Sequence, residues 1–226
     1  MRTAVVAAVC SLVSALALAR DVEVPFPTDD GFELRGTLTL PDDADGPLAG
    51  VLLLAGSGPT DRDGDQGLIR TGVQRQLAGA LAEAGIASYR FDKRALPSYA
   101  AHFPPMDEMG PFFALDRFVS DAERALAMLR AREEIDGARV AIAGHSEGAL
   151  IALIIAAGDN PPAATACLAG PGRPVTALIR EQIAAQFDRA APAQKAQGLA
   201  DLDRAIEAAR AGEPFPPDLP AWTAAL

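Results

Sequence analysis

The sequence is poor in the residues that carry much of protein chemistry. Its 226 residues include two cysteines and two histidines, too few for a zinc site built on thiolates and imidazoles, so no metal and no cofactor is expected. Positive charge is also scarce: 20 Lys and Arg against 30 Asp and Glu leave a formal net charge of -10. Such a surface repels phosphate backbones, which argues against nucleic acid as a partner. Long apolar runs are missing as well. The longest covers residues 3–19, at the short limit for spanning a bilayer. Arg2 precedes this run, and Ala17-Leu18-Ala19 places small residues at the -3 and -1 positions before Arg20, the pattern of a signal-peptidase site. Residues 1–19 therefore read as a cleaved signal peptide. The mature chain is expected to be exported, periplasmic or secreted, with no stable membrane insertion after cleavage. Val9 before Cys10 argues against a lipoprotein. Cleavage removes Cys10 and leaves Cys167 as the only thiol, so no intrachain disulfide can form, although export permits one.

What remains is globular: 50% hydrophobic residues are too many for a disordered chain. Alternation through Val22, Val24 and Phe26, and again through Phe32, Leu34, Leu38 and Leu40, brackets the turn signal Thr28-Asp29-Asp30-Gly31 and predicts an N-terminal antiparallel hairpin. Residues 49–55 form a continuous apolar run, as a strand buried on both faces requires. Residues 86–91, 140–143 and 164–168 are shorter runs of the same kind. Helical spacing separates them: Val73, Leu77 and Leu81 before Gly85, then Leu115, Phe118, Ala122, Leu126 and Leu129. Residues 147–157 are apolar nearly all round and read as a buried helix. Buried strands alternating with helices predict an α/β fold, a mostly parallel sheet with helices on both faces. After Gly170 the composition shifts to two weakly amphipathic helices within residues 174–212 and a Pro-rich loop at 213–220. The organisation is thus a core over residues 20–170 and a helical lid or cap segment over 171–226.

Gly144-His145-Ser146-Glu147-Gly148 is a G-x-S-x-G sequence. Alone it is weak. Its context is specific, because it follows the strand at 140–143 and opens the helix from Glu147, the strand-to-helix turn that lifts a serine Oγ above a sheet edge. The bland reading is a serine N-cap between packing glycines. As a nucleophile, Ser146 needs donors for an oxyanion. These are expected from the Glu147 N–H and from Gly56-Ser57-Gly58-Pro59-Thr60 after the first buried strand, with Ser57 as the choice and Gly58 as the alternate. A phosphate-binding glycine loop is the competing reading, but neither G-x-x-x-x-G-K-[ST] nor G-x-G-x-x-G is present.

With these stretches in place, VLLLAGSGPTDRDG (51–64), YRFDKR (89–94) and VAIAGHSEGA (140–149), the chain resembles the α/β-hydrolase superfamily, in particular its bacterial esterase and serine-aminopeptidase-like branch. The resemblance covers residues 21–170. It implies a serine hydrolase, a carboxylesterase, in which Ser146 forms an acyl-enzyme on a small-molecule ester or acyl substrate. An acyltransferase on the same scaffold and a noncatalytic binding protein remain as alternatives. The sequence departs from the family in one respect: its order is Ser, acid, His, and no histidine follows Ser146. The triad acid and base are therefore absent from this chain, as are the last strands. The simplest expectation is the N-terminal part of a longer hydrolase, with a degenerate hydrolase second. His145 reads as a packing residue, and His102, before the elbow, as no base. Asp61, Asp63 and Asp65 resemble a calcium loop with misplaced glycines and read as a solvated turn shaping the oxyanion loop. Arg90, Asp92, Lys93 and Arg94 read as a strand-end ion network, and Cys167 as a core residue. Phe112, Phe113, Phe187 and Trp222 read as packing before acyl pocket.

Overall fold

The computed structural model describes residues 19–42 and 46–220, the side chain of Asp107 excepted. The leader reading falls outside these residues but for Ala19, and Trp222 lies outside them too. β1 (Ala19–Glu23) pairs antiparallel with β4 (Gly36–Pro41). Between them β2 (Phe26–Pro27) and β3 (Glu33–Leu34) form a separate short hairpin. The predicted turn closes it: the Phe32 N–H donates to Thr28 Oγ1 at 3.0 Å, and the Thr28 N–H donates to the Phe32 carbonyl at 2.7 Å.

The parallel part consists of β5 (Leu48–Leu54), β6 (Ala87–Phe91), β7 (Ile135–His145) and β8 (Thr165–Leu168). The sheet order is β1-β4-β6-β5-β7-β8. Leu52 at its centre pairs with Tyr89 on one side and Ile142 on the other, and all three are buried. The helices are α1 (Val73–Glu83), the short α2 (Met109–Phe112), α3 (Leu115–Arg130) and α4 (Glu147–Ala156). Right-handed crossovers decide their faces. The step from β5 to β6 runs one way along the sheet, while β6 to β7 and β7 to β8 run the other way. Accordingly α3 and α4 pack together, whereas α1 packs on β6 and β4. The adjacent strands β5 and β7 thus send their C-terminal loops to opposite faces, the switch point where open α/β sheets hold ligands.

Three expectations about burial change. The buried residues of α1 are Gln74, Ala78 and Ala82, one position on from the predicted stripe, because small side chains let the helix sit close to the sheet. α4 is not buried all round: Leu153 and Ile154 are exposed. β8 has a single neighbour and is an edge among the described strands, so Ala166, Cys167 and Leu168 are exposed and Cys167 is not a core residue.

The chain divides after Gly170 into two compact units. The second contains α5 (Val175–Gln186) and α6 (Pro192–Ala211), which pack on each other. Arg180 pairs with Asp203 at 2.9 Å, and the Phe187 ring lies over Gly198, where a Cβ would come within 2.6 Å of it. Among the described residues no helix is long and apolar enough to cross a membrane, and no cluster of His, Cys, Asp and Glu could hold a metal.

Candidate active site

β7 ends at His145 and α4 begins at Glu147, so one residue makes the whole turn. Ser146 makes it at φ 53° and ψ -117°. Positive φ is uncommon for a residue with a Cβ, and this conformation stores about 1–3 kcal/mol. The flanking glycines are required by contact. A Cβ on Gly144 would lie 2.1 Å from the Gly148 carbonyl oxygen, and one on Gly148 would lie 2.5 and 2.6 Å from the carbonyl oxygens of Leu54 and Ala55. The elbow is therefore seated directly on the end of β5. The Ser146 N–H donates to the Leu168 carbonyl at 2.9 Å, which fixes the elbow to β8 as well.

The loop after β5 meets the elbow from the other side. A Cβ placed on Gly56 would be 3.3 Å from Ser146 Cβ and 3.1 Å from His145 Nδ1. The next residue, Ser57, borders the same cavity as Ser146. Among the described residues, neither the Ser57 N–H nor the Glu147 N–H has a hydrogen-bond acceptor in the protein. Ser57 and Ser146 are thus brought to one cavity, with Glu147 opening the helix beside it, while Gly58 does not border it. The cavity holds about 430 Å3, with Leu53, Ile69, Val73, Leu77, Ala143 and Leu168 as its apolar wall. Two of these, Val73 and Leu77, belong to the apolar stripe read from helical spacing.

The histidines fall differently from expectation in one case. His145 is exposed at the cavity rather than packed. His102 is exposed and lies against the Phe32 ring, 5.4 Å between centroids, away from the residues that line the cavity. No described side chain hydrogen-bonds to Ser146. Phe112 and Phe113 join Phe103 in an edge-on aromatic cluster and do not line the cavity.

The acidic loop is a self-closed turn. Asp61 Oδ1 accepts the N–H groups of Asp63 and Asp65, both at 2.9 Å, and Asp65 Oδ1 accepts the Gly72 N–H at 2.7 Å. These bonds carry the chain from Thr60 around to α1. Behind it, the charges leaving β6 are all buried. Arg90 reaches Asp21 at 3.1 Å and Asp63 at 3.2 Å. Asp92 Oδ1 accepts the Arg62 N–H at 2.9 Å and Oδ2 the Tyr99 hydroxyl at 3.2 Å. Burial nevertheless pushes the Asp92 carboxyl up and the Tyr99 phenol to about 12. Arg94 grips Asp121 with two bonds of 2.7 and 2.6 Å and Asp30 with a third of 2.9 Å. Burial alone would raise Asp30, but the bonds from Arg94 and Thr28 outweigh it and lower its carboxyl to about 2. Lys93 differs from its neighbours, because both of its acceptors belong to the site: the Gly56 carbonyl at 2.9 Å and Glu147 Oε2 at 2.5 Å. Local sequence carried no signal for that link, since the partners are 37 and 54 residues away.

No protein-family model matches the chain. Esterase EstD of Thermotoga maritima is 28% identical over 152 residues, 66% of this chain and 33% of that protein, so the chain spans about a third of the length of that curated relative. Among solved structures, a dienelactone hydrolase-like promiscuous phosphotriesterase from metagenomic libraries aligns at TM-score 0.50 and 21% identity, over 67% of this chain and 59% of its own. A hypothetical protein from Pseudomonas aeruginosa aligns at TM-score 0.53 and 15% identity, over 87% and 56%. Together with the sheet order, these likenesses show that the chain has an α/β-hydrolase-type fold.

Proposed function

We propose that this α/β-hydrolase-fold chain performs acyl transfer from small esters, with Ser146 as the nucleophile and hydrolysis as the outcome. The observation that carries the reading is the conformation of Ser146, held at φ 53° between β7 and α4 beside two backbone N–H groups that have no acceptor among the described residues. In the proposed reaction Ser146 Oγ attacks the ester carbonyl, and the N–H groups of Ser57 and Glu147 hold the oxygen as it becomes negative. Collapse expels the alcohol and leaves an acyl-serine, which water then cleaves. The apolar wall takes the acyl group. Among the described residues no side chain hydrogen-bonds to Ser146, and a serine hydroxyl without such a base is a weak nucleophile, so acylation should favour esters with a good leaving group.

A fluorophosphonate tests this on the chain as it stands. The Ser146 Oγ–P bond forms as the P–F bond breaks, with the hydroxyl proton going to solvent. Intact mass should rise by one phosphonyl group located on Ser146, and Ser146→Ala should take none. Labelling elsewhere, or equal labelling of Ser146→Ala, would rule this serine out.

A further inference from the structure

Lys93 lies at the end of the turn out of β6, 7% exposed, with its ammonium between the two segments that form the site. It donates to the Gly56 carbonyl at 2.9 Å and to Glu147 Oε2 at 2.5 Å, and the Phe118 ring covers it at 4.5 Å from the centroid. The Gly56 carbonyl and the Ser57 N–H belong to one peptide unit. In a planar trans peptide these two groups point in opposite directions, and the described chain has no cis bonds. A donor fixed on the carbonyl therefore aims the Ser57 N–H away from Lys93, and Ser57 borders the cavity that holds Ser146. A positive charge on the carbonyl oxygen also polarises the amide and makes its N–H a stronger donor. The other bond runs to the side chain of Glu147, whose own N–H is the second expected donor.

We propose that Lys93 is a positioning residue for the oxyanion pocket: one ammonium orients and polarises the peptide bearing the Ser57 N–H and ties it to the residue bearing the Glu147 N–H. The inference rests on the reading of Ser146 as nucleophile. It differs from an ordinary buried ion pair in what it moves. An ion pair that serves only stability changes unfolding, while a positioning residue changes the field felt by an acyl carbonyl on Ser146.

The test uses p-nitrophenyl acetate labelled with 13C at the carbonyl. Ser146 Oγ bonds to the acetyl carbon, p-nitrophenolate leaves, and the hydroxyl proton passes to solvent. Rapid mixing and freezing hold the acetyl-enzyme for infrared difference spectroscopy. In the unsubstituted chain the labelled carbonyl should absorb below the frequency of the same ester in water. In Lys93→Met it should move up, and acylation should slow by about tenfold to a hundredfold, since losing a whole oxyanion donor costs about 10²–10³. If Lys93→Met does not fold, Lys93→Arg carries the test. Its guanidinium keeps the charge and the Glu147 pairing but re-aims the donor at Gly56, and the band should again rise, by less. A band and rate unchanged in whichever variant folds, with Ser146 acetylated, would overturn the proposal. Absence of an acetyl-Ser146 adduct in the unsubstituted chain would overturn the nucleophile reading, and this inference with it.

Discussion

Gly148→Ala puts the joint between elbow and sheet under direct strain. The added methyl would sit 2.5 Å from the Leu54 carbonyl oxygen and 2.6 Å from that of Ala55, about 0.9 Å short of ordinary contact. Both obstacles are backbone at the end of β5, so no side chain can rotate aside. α4 must lift, and with it the Glu147 N–H moves away from the loop bearing Ser57. Overpacking of this kind costs about 1–3 kcal/mol, offset by at most about 1 kcal/mol of better helix propensity. Urea unfolding should therefore show a loss of about 1–2 kcal/mol. The acylation rate should fall further, about a hundredfold, because a displacement near 1 Å in a reacting site carries that cost. Gly79→Ala in α1 is the control: nothing lies within 4 Å of its added methyl, so it should gain up to about 1 kcal/mol and acylate at the unsubstituted rate. Acylation of Gly148→Ala by p-nitrophenyl acetate at the unsubstituted rate would refute the claim that β5 and the elbow are in obligatory contact.

Ser146→Gly should stabilise the chain by about 1 kcal/mol while abolishing acylation, since glycine relieves the positive-φ strain and gives back part of it as unfolded-state entropy; a lower urea midpoint would show that the backbone there is unstrained. The Asp30 carboxyl, lowered to about 2, contributes stability that is full above its unfolded value near 3.9 and is lost as pH falls toward 2. Asp30→Asn should therefore flatten the unfolding midpoint between about pH 4 and pH 2, and an unchanged slope would sink the Arg94–Asp30 account. p-Nitrophenyl butyrate should acylate Ser146 faster than the acetate by up to about fourfold per added methylene, the worth of about 0.8 kcal/mol of apolar burial; equal rates would mean that the wall of Val73 and Leu77 does not meet the acyl group.

Periodicity located most elements because strands buried on both faces, such as Leu48–Leu54, leave continuous apolar runs, and because the elbow needs its glycines two positions either side of Ser146. It failed where an apolar residue serves a surface other than the core. Val73 and Leu77 recur at helical spacing like core residues, yet line the cavity, and the small residues Ala78 and Ala82 take the buried face. A hydrophobic pattern reports that a side chain leaves water and is silent on whether protein or ligand covers it. The run at 164–168 has the composition of a central strand, yet among the described strands it is an edge, which is why Cys167 is exposed and not a core residue. Nor did composition reveal that Arg90, Asp92, Lys93 and Arg94 are buried. Their reading as an ion network at a strand end agrees with the pairs they form, but its burial depends on partners scattered from Asp21 to Glu147, which local sequence does not name.

That burial bears on register. Ser88 and Arg90 share one face of β6, while Tyr89 and Phe91 share the other with the aromatic core around Phe26. A one-residue slip of β6 would exchange the faces. The Arg90 guanidinium would then enter the Phe26 cluster with neither Asp21 nor Asp63 to meet it, and an unpaired buried charge costs about 3–5 kcal/mol. Such pairs add little stability over apolar residues of equal size, but they penalise every alternative in which the partners miss. Asp21 comes from β1, Asp63 from the acidic loop, Asp30 from the β2–β3 turn and Asp121 from α3, so one register of β6 answers to four elements at once. Lys93 stands three residues beyond Arg90 on the same chain. The constraints that seat Arg90 and Arg94 therefore also place the ammonium between Gly56 and Glu147, and the geometry of the site follows from the same pairing that specifies the sheet.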